Sequence, residues 1–322
     1  MDPRRAAVVR APDEGHYLGW QGGVVAYKAL SDETGGRYCL STGSVPRWSG
    51  PPASIQTRED RGFFILEGEL AFAAGNQKFA LGEGSFLNVR RGTALSFINS
   101  SRAPASVLVL NAPGGFDRFQ VEAGQRLEGP DALVPPVTPA DTARMDEAAP
   151  RYGIDLSPPA EAFRKPPALR VTRPSDGRSL SVLGDLYRFL AVGADTDGSY
   201  ALWEALIPGG GGPPLHVHSR EDEGFFVLEG EVTFRVEERT VEAGPGTFLN
   251  LPPGVRHTFS NESAGLARML IMVAPAGLEK MFQETGSPLD GTASTLPPVT
   301  PEDINKILAA APRYGITIFP SP

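Results

Sequence analysis

The chain has a single cysteine, Cys39, among 322 residues. An intramolecular disulfide, a cysteine-based metal cluster and a dithiol redox pair are therefore excluded. It has no run approaching the roughly 20 consecutive apolar residues of a membrane span. It also has no basic block: 30 Lys and Arg against 38 Asp and Glu give 30 − 38 = −8, which argues against a nucleic-acid or anionic-membrane partner. The start, Met1-Asp2-Pro3-Arg4-Arg5, is followed by only four apolar residues before Arg10. This reads as neither a signal peptide nor a twin-arginine signal, and a cytoplasmic protein is expected. Histidine is scarce too, with four in the whole chain. What is plentiful is Gly, at 37, and Pro, at 31. Both interrupt helices, so a helix bundle is excluded and short strands joined by tight turns are favoured.

Hydrophobic residues make up 41% and charged residues 21%, as in ordinary globular protein, and the length suggests two domains. The sequence matches itself at a constant offset, 213 − 51 = 162. PPASIQTREDRGFFILEGE (Pro51 to Glu69) lies over PPLHVHSREDEGFFVLEGE (Pro213 to Glu231), with twelve of nineteen positions identical. Gly82 to Asn99 lies over Gly244 to Asn261, and AAPRYGI occurs at both Ala148 to Ile154 and Ala310 to Ile316. The chain is thus read as a duplication. The division is placed in the proline-dense stretch Leu156 to Pro174, giving domains 1–165 and 166–322.

Within the second half the apolar runs are short and bounded by turns: 200–207, 224–228, 231–236, 247–251 and 267–273. That rhythm predicts an all-β sandwich or small barrel in each half. Only the end of each half reads as helix. Thr138-Pro139-Ala140-Asp141 and Thr300-Pro301-Glu302-Asp303 each supply a Thr cap, a Pro at the first helical position and an acid three residues after the cap.

Three of the four histidines fall in one stretch. In His216-Val217-His218 the two imidazoles share a face if the segment is a strand. Glu223 follows His218 by an odd step, so a turn must intervene, which Ser219 to Asp222 are polar enough to supply, and Glu221 and Asp222 are read as solvated turn residues. After the turn, Glu223, Phe225 and Val227 share the inward face. Gly230 allows the next reversal, and Leu251-Pro252-Pro253-Gly254 makes a stiff turn that delivers His257 to the same interior. Three neutral imidazoles and a carboxylate suit one divalent first-row metal: Fe, Mn, Co, Ni, Cu or Zn. Four protein ligands on a six-coordinate ion leave two positions open, and an open site implies chemistry. Five aromatic residues, Tyr200, Trp203, Phe225, Phe248 and Phe259, are read as lining for an apolar pocket. Of these, Phe225 and Phe259 share the face of the proposed ligands by alternation. His16 is read as a surface or loop residue and Cys39 as a small core residue on a strand.

The segment HVHSREDEGFFVLEG (His216 to Gly230) resembles the first motif of the cupin family, and GTFLNLPPGVRHTFSN (Gly246 to Asn261) resembles the second. The resemblance implies a bicupin: two tandem double-stranded β-helix (jelly-roll) barrels, each half with its short C-terminal helix. It also implies metal binding through His216, His218, Glu223 and His257. Within the superfamily, the two-barrel layout and PPLHVHSREDEGFFVLEGE look most like quercetinase-type dioxygenases, in which the equivalent of Glu223 accepts a substrate proton.

In the first half every one of these ligands is replaced. His216 maps to Ser54, His218 to Gln56, Glu223 to Arg61 and His257 to Leu95, while Gly62, Phe63, Phe64, Gly68, Gly84, Phe86, Gly92 and Asn99 persist. A degenerate barrel without metal is expected there. Buried Arg61 is read either as part of an internal salt bridge or water network, or as an anchor for an anionic ligand. The function these features imply is a metal-dependent dioxygenase acting with O2 on a flavonol-like or other phenolic, enolisable ring compound. Two rival readings remain. One is an oxygen-independent isomerase, cyclase or hydrolase using the same ion. The other is a cupin that binds a small ligand without turnover. Phe226 and Leu228, apolar on the outward face, offer a surface for a homodimer or for the sister barrel.

Overall fold

The computed structural model describes residues 5–176, 179–289 and 297–319. The chain forms two compact units, one of residues Asp13–Pro174 and the other of Met1–Pro12 with Ser175–Pro322. Each is a pair of antiparallel sheets, one of eight strands and one of five. The two units repeat the same neighbour order at the offset of 162. The all-β expectation with short helices is met in both.

In the second unit the larger sheet runs Val8–Arg10, Phe248–Leu251, Asp222–Glu229, Ala267–Ala274, Ala201–Ile207, Asp185–Ala191, Ser179–Val182 and Ser287–Leu289. The smaller runs Arg239–Ala243, Val232–Val236, His257–Ser260, His216–His218 and Ile316–Ile318. Alternation decides what lies between them. Along Asp222–Glu229, Glu223, Phe225 and Val227 face inward, and Phe225 and Val227 join Trp203, Phe234, Leu249, Leu251, Phe259 and Ile271 in one buried apolar cluster. Gly230, at φ 74, makes the reversal into the next strand. A Cβ there would stand 2.9 Å from Ala267 Cα, so both the backbone conformation and the space require glycine.

The sequence puts the division near residue 165, whereas the compact units part at Pro174 and assign the first twelve residues to the second unit. The reason is edge pairing. Val8–Arg10 pairs with Phe248–Leu251, and its counterpart Leu169–Thr172 pairs with Phe86–Val89 of the first unit. Each repeat thus begins with a strand that completes the sheet built mainly by the other repeat, which leaves fewer open edges.

The helices are α1 (Phe116–Ala123), α2 (Pro139–Ala148), α3 (Gly193–Thr196), α4 (Glu279–Thr285) and α5 (Pro301–Ala310). In α2 and α5 the Thr side chain accepts from the Asp backbone N–H at 3.2 Å, and the Asp carboxylate accepts from the Thr backbone N–H. These reciprocal bonds satisfy donors that the first helical turn leaves open. The other three were not expected, because α1 and α4 carry no side-chain cap and α3 is a single turn. No helix among the described residues is long and apolar enough to cross a membrane.

Candidate metal centre

His216 lies directly opposite His257 in the smaller sheet, and the neighbouring strand brings Val236 beside His257. Glu223 comes from the larger sheet, between Leu251 and Val273. The two facing sheets therefore deliver three imidazoles from one side and a carboxylate from the other. One ligand atom from each of the four residues lies within 4.8 Å of the others, and all four residues are buried. The turn geometry helps: Gly254 N–H donates to His218 O at 2.8 Å, which ties the Pro252-Pro253 turn to the His216–His218 strand.

Two of the three imidazoles are oriented by a main-chain carbonyl behind them. His216 Nδ1 donates to Pro214 O at 2.9 Å and His257 Nδ1 donates to Val255 O at 3.0 Å. A proton placed on Nδ1 leaves Nε2 to the interior, the arrangement in which an outer hydrogen bond fixes the tautomer of a metal-binding imidazole. The three Nε2 atoms converge on one oxygen, Glu223 Oε2, at 3.9 Å for His216, 3.0 Å for His218 and 2.9 Å for His257. Only His257 makes an aligned hydrogen bond to it. His218 is 2% exposed, yet neither of its ring nitrogens has a hydrogen-bond partner. A buried imidazole in that condition is costly unless something else engages it. A divalent ion among the four donors would do so, and the donor set fits a first-row metal.

Burial alone would disfavour charge on these groups, but their mutual attraction outweighs it. Burial opposes ionisation of Glu223, and the three imidazoles around it reverse the effect, holding its carboxyl well below the usual range. Burial would likewise depress His218, but the carboxylates of Glu223 and Glu221 hold it up to about 9. For His216 burial prevails and its pKa is lowered.

The turn residues differ from expectation. Glu221 and Asp222 are not solvated; they are 3% and 0% exposed. Glu221 Oε2 stands 3.5 Å behind His218 Nδ1. Asp222 receives a two-pronged bond from Arg5 at 2.8 and 2.7 Å and one from Asn250 at 3.2 Å. A polar run marks a turn in sequence, but here the strand begins one residue earlier and both acids are buried, Glu221 against His218 three residues back and Asp222 against Arg5 and Asn250, far along the chain.

Beside the four residues lies a cavity of about 60 Å³. Of the expected aromatics, Phe259 lines it, and so does Trp203, while Phe225, Tyr200 and Phe248 do not. Phe225 sits one pleat deeper, packed on Phe234, Phe259 and His257. Tyr200 and Phe248 have the parity opposite to the inward residues Ala201 and Leu249, which turns them away from the interior. The wall also includes Asp185, Tyr187, Met281, Phe282 and Ile307. Asp185 Oδ1 and Trp203 Nε1 are both buried without a partner. Burial pushes the Asp185 carboxyl up to about 7, against the bond it accepts from the Gly212 backbone. Asp185 was legible in principle as an acid at the inward parity of a strand that also presents Tyr187 and Phe189 inward.

In the first unit the counterparts are close together but of different chemistry. Arg61 is 5% exposed and donates to Ser54 Oγ at 3.1 Å and Thr93 O at 2.9 Å. Leu95 joins the apolar core. Cys39 is fully buried on a strand, where burial and then Asp117 push its thiol up. His16 is exposed at the start of its strand.

Comparison with known proteins places these features. The family model described as "Cupin domain" matches residues 202–273. The chain is 23% identical over 254 residues to quercetin 2,3-dioxygenase of Bacillus subtilis (strain 168), covering 74% of each protein. Among solved structures, a mutant of Bacillus subtilis oxalate decarboxylase aligns with TM-score 0.58 at 13% identity over 84% of this chain and 78% of that one. A putative glyoxylate-induced protein from Pseudomonas aeruginosa aligns at 0.56, with 15% identity over 83% and 88%. Vicilin from tomato aligns at 0.53, with 12% identity over 84% and 85%. At these identities the structural likenesses speak for the fold.

Proposed function

On the premise that this chain is a bicupin resembling quercetinase-type dioxygenases, we propose that it is a metal-dependent dioxygenase whose active site is the cluster His216, His218, Glu223 and His257. The observation that carries this reading is the convergence of three Nε2 atoms on one carboxylate oxygen in a buried site beside a cavity. A divalent ion held there would supply Lewis acidity and open positions for substrate and O2. The chain's own residues do the rest. Glu223, kept ionised by its imidazole neighbours, accepts the proton of an acidic hydroxyl. Trp203 Nε1 is free to donate to a substrate oxygen, and Asp185, held near 7, exchanges a second proton close to neutrality. The apolar wall of Tyr187, Phe259, Met281, Phe282 and Ile307 excludes water from an electron-rich intermediate.

The cavity size bears on the substrate. A cavity of roughly 150 Å³ accepts a benzene ring, and about 60 Å³ is less than half of that. A compact phenolic or enolisable compound therefore fits with less rearrangement than a three-ring flavonol, which would require α4 or α5 to move outward. Oxygen uptake tests the proposal. Protein loaded separately with Fe²⁺, Mn²⁺, Co²⁺ and Ni²⁺ is given quercetin and a panel of smaller catechols and enolisable diketones. Uptake that needs both metal and substrate, and falls to background in His257→Ala, is expected. Conversion of a substrate at an unchanged rate without O2 would replace this reading with an oxygen-independent, Lewis-acid one.

A further inference from the structure

The first barrel has also kept a cavity. Every residue that lines the cavity beside the candidate metal centre has its counterpart, at the offset of 162, lining a cavity in the first unit. The first cavity is the larger, about 130 Å³ against about 60 Å³. The difference follows from substitutions in the wall. Tyr187, Trp203 and Phe282, whose rings pack on one another, are Val25, Ser41 and Gln120 at the equivalent positions. A barrel retained only as a brace would gain by filling this space, because voids forfeit packing contacts. This one has been emptied.

Its polar end has been rebuilt as well. Arg61 replaces Glu223, Gln56 replaces His218, and Asn111, directly opposite Arg61 across the strands, replaces Val273. All three line the cavity, and they are 5%, 2% and 1% exposed. The amide oxygens Gln56 Oε1 and Asn111 Oδ1 have no hydrogen-bond partner. O and N assignments in such amides follow the network rather than the reverse, so either end is available to a ligand. Among the described residues, Arg61 forms no ion pair. It bonds to a hydroxyl and a main-chain carbonyl, which use two of its five N–H donors. The acid that acts on it, Glu59, is not part of the cavity wall. A guanidinium withdrawn from water and left without an anion is unfavourable, and the planar fork suits a carboxylate.

We propose that the first barrel is a metal-independent binding site for a small organic anion, a monocarboxylate on a single ring or short branched chain. Its carboxylate lies on Arg61, flanked by Gln56 and Asn111, and its apolar body occupies the space that Val25 and Ser41 leave open between Phe63, Phe97 and Phe119. The volume agrees, since a cavity of this order accepts a benzene ring.

The test is calorimetric titration of the full-length, metal-stripped protein with benzoate, phenylacetate and isovalerate, and with benzamide as the neutral match. At least one of the three carboxylates should saturate one site per chain and bind at least about tenfold more tightly than benzamide. Arg61→Met should weaken it about tenfold or more while holding or raising Tm. Ser41→Trp, which restores the residue of the second barrel, should abolish binding and leave Tm within a few degrees. His257→Ala should bind as the parent does, which separates this site from the metal centre. No saturable binding of any of the three carboxylates would overturn the proposal. So would equal binding of benzamide, loss of binding in His257→Ala, or undiminished binding in Ser41→Trp. If Arg61→Met fails to fold, Ser41→Trp decides.

Discussion

Strand parity explains why the four candidate ligands could be read from sequence. His216 and His218 share a face whatever surrounds them, and an odd step to Glu223 demands a turn. The residues that escaped are buried acids, whose polarity reads as exposure until the fold supplies their surroundings. Glu221 and Asp222 read as solvated, but His218 and Arg5 engage them in the fold. Asp185 belongs to the same class, and it gives a prediction. Its folded pKa of about 7 lies above the ordinary 3.8, so between these values the unfolded chain releases its proton while the folded chain retains it. Stability contributed by this group is therefore present below about pH 4, falls as pH rises to about 7, and is level beyond. A shift of about three units corresponds to roughly 4 kcal/mol. Asp185→Asn keeps the acceptor for Gly212 and removes the titration. In denaturant unfolding of metal-free protein, the advantage of the variant over the parent should grow by about 2–4 kcal/mol between pH 4.5 and pH 8. The same difference at both pH values would show that this carboxyl is not held protonated.

Elements with a local signal were legible and those without were not. The capped helices α2 and α5 announce themselves in four residues each, because a Thr, a Pro and an Asp satisfy the first-turn donors without outside help. Thr300→Ala removes one such cap and should cost about 1 kcal/mol, read as a lowered midpoint at unchanged slope in denaturant. A change below about 0.3 kcal/mol would mean that packing of Ile307 and Ala310 alone holds α5. The short helices α1 and α4 form against tertiary neighbours: Phe119 and Ala123 in the first unit, and Met281 and Phe282 in the second, are buried. Nothing in their own sequence outweighs the nearby glycines Gly115, Gly124, Gly277 and Gly286. The exchanged strands Val8–Arg10 and Leu169–Thr172 were invisible for a related reason. A three- or four-residue strand carries almost no periodicity, and its register is set by Phe248–Leu251 or Phe86–Val89, far along the chain.

At the scale of the whole chain, the duplication was the most legible feature, since one offset holds from Pro51 to the end of the second repeat. What two copies of one fold do differently is written in a handful of inward positions. The second barrel presents three imidazoles and a carboxylate, and the first presents a guanidinium and two amides around a larger cavity. The scaffold glycines and the capped helices are shared, while the chemistry of the two interiors differs. Metal content measured by plasma mass spectrometry, after reconstitution and removal of loosely bound ion, tests this division of labour. The expected result is about one divalent ion per parent chain, close to none in His257→Ala, and about one in Arg61→Met. Two ions per chain, or an undiminished ion in His257→Ala, would contradict it.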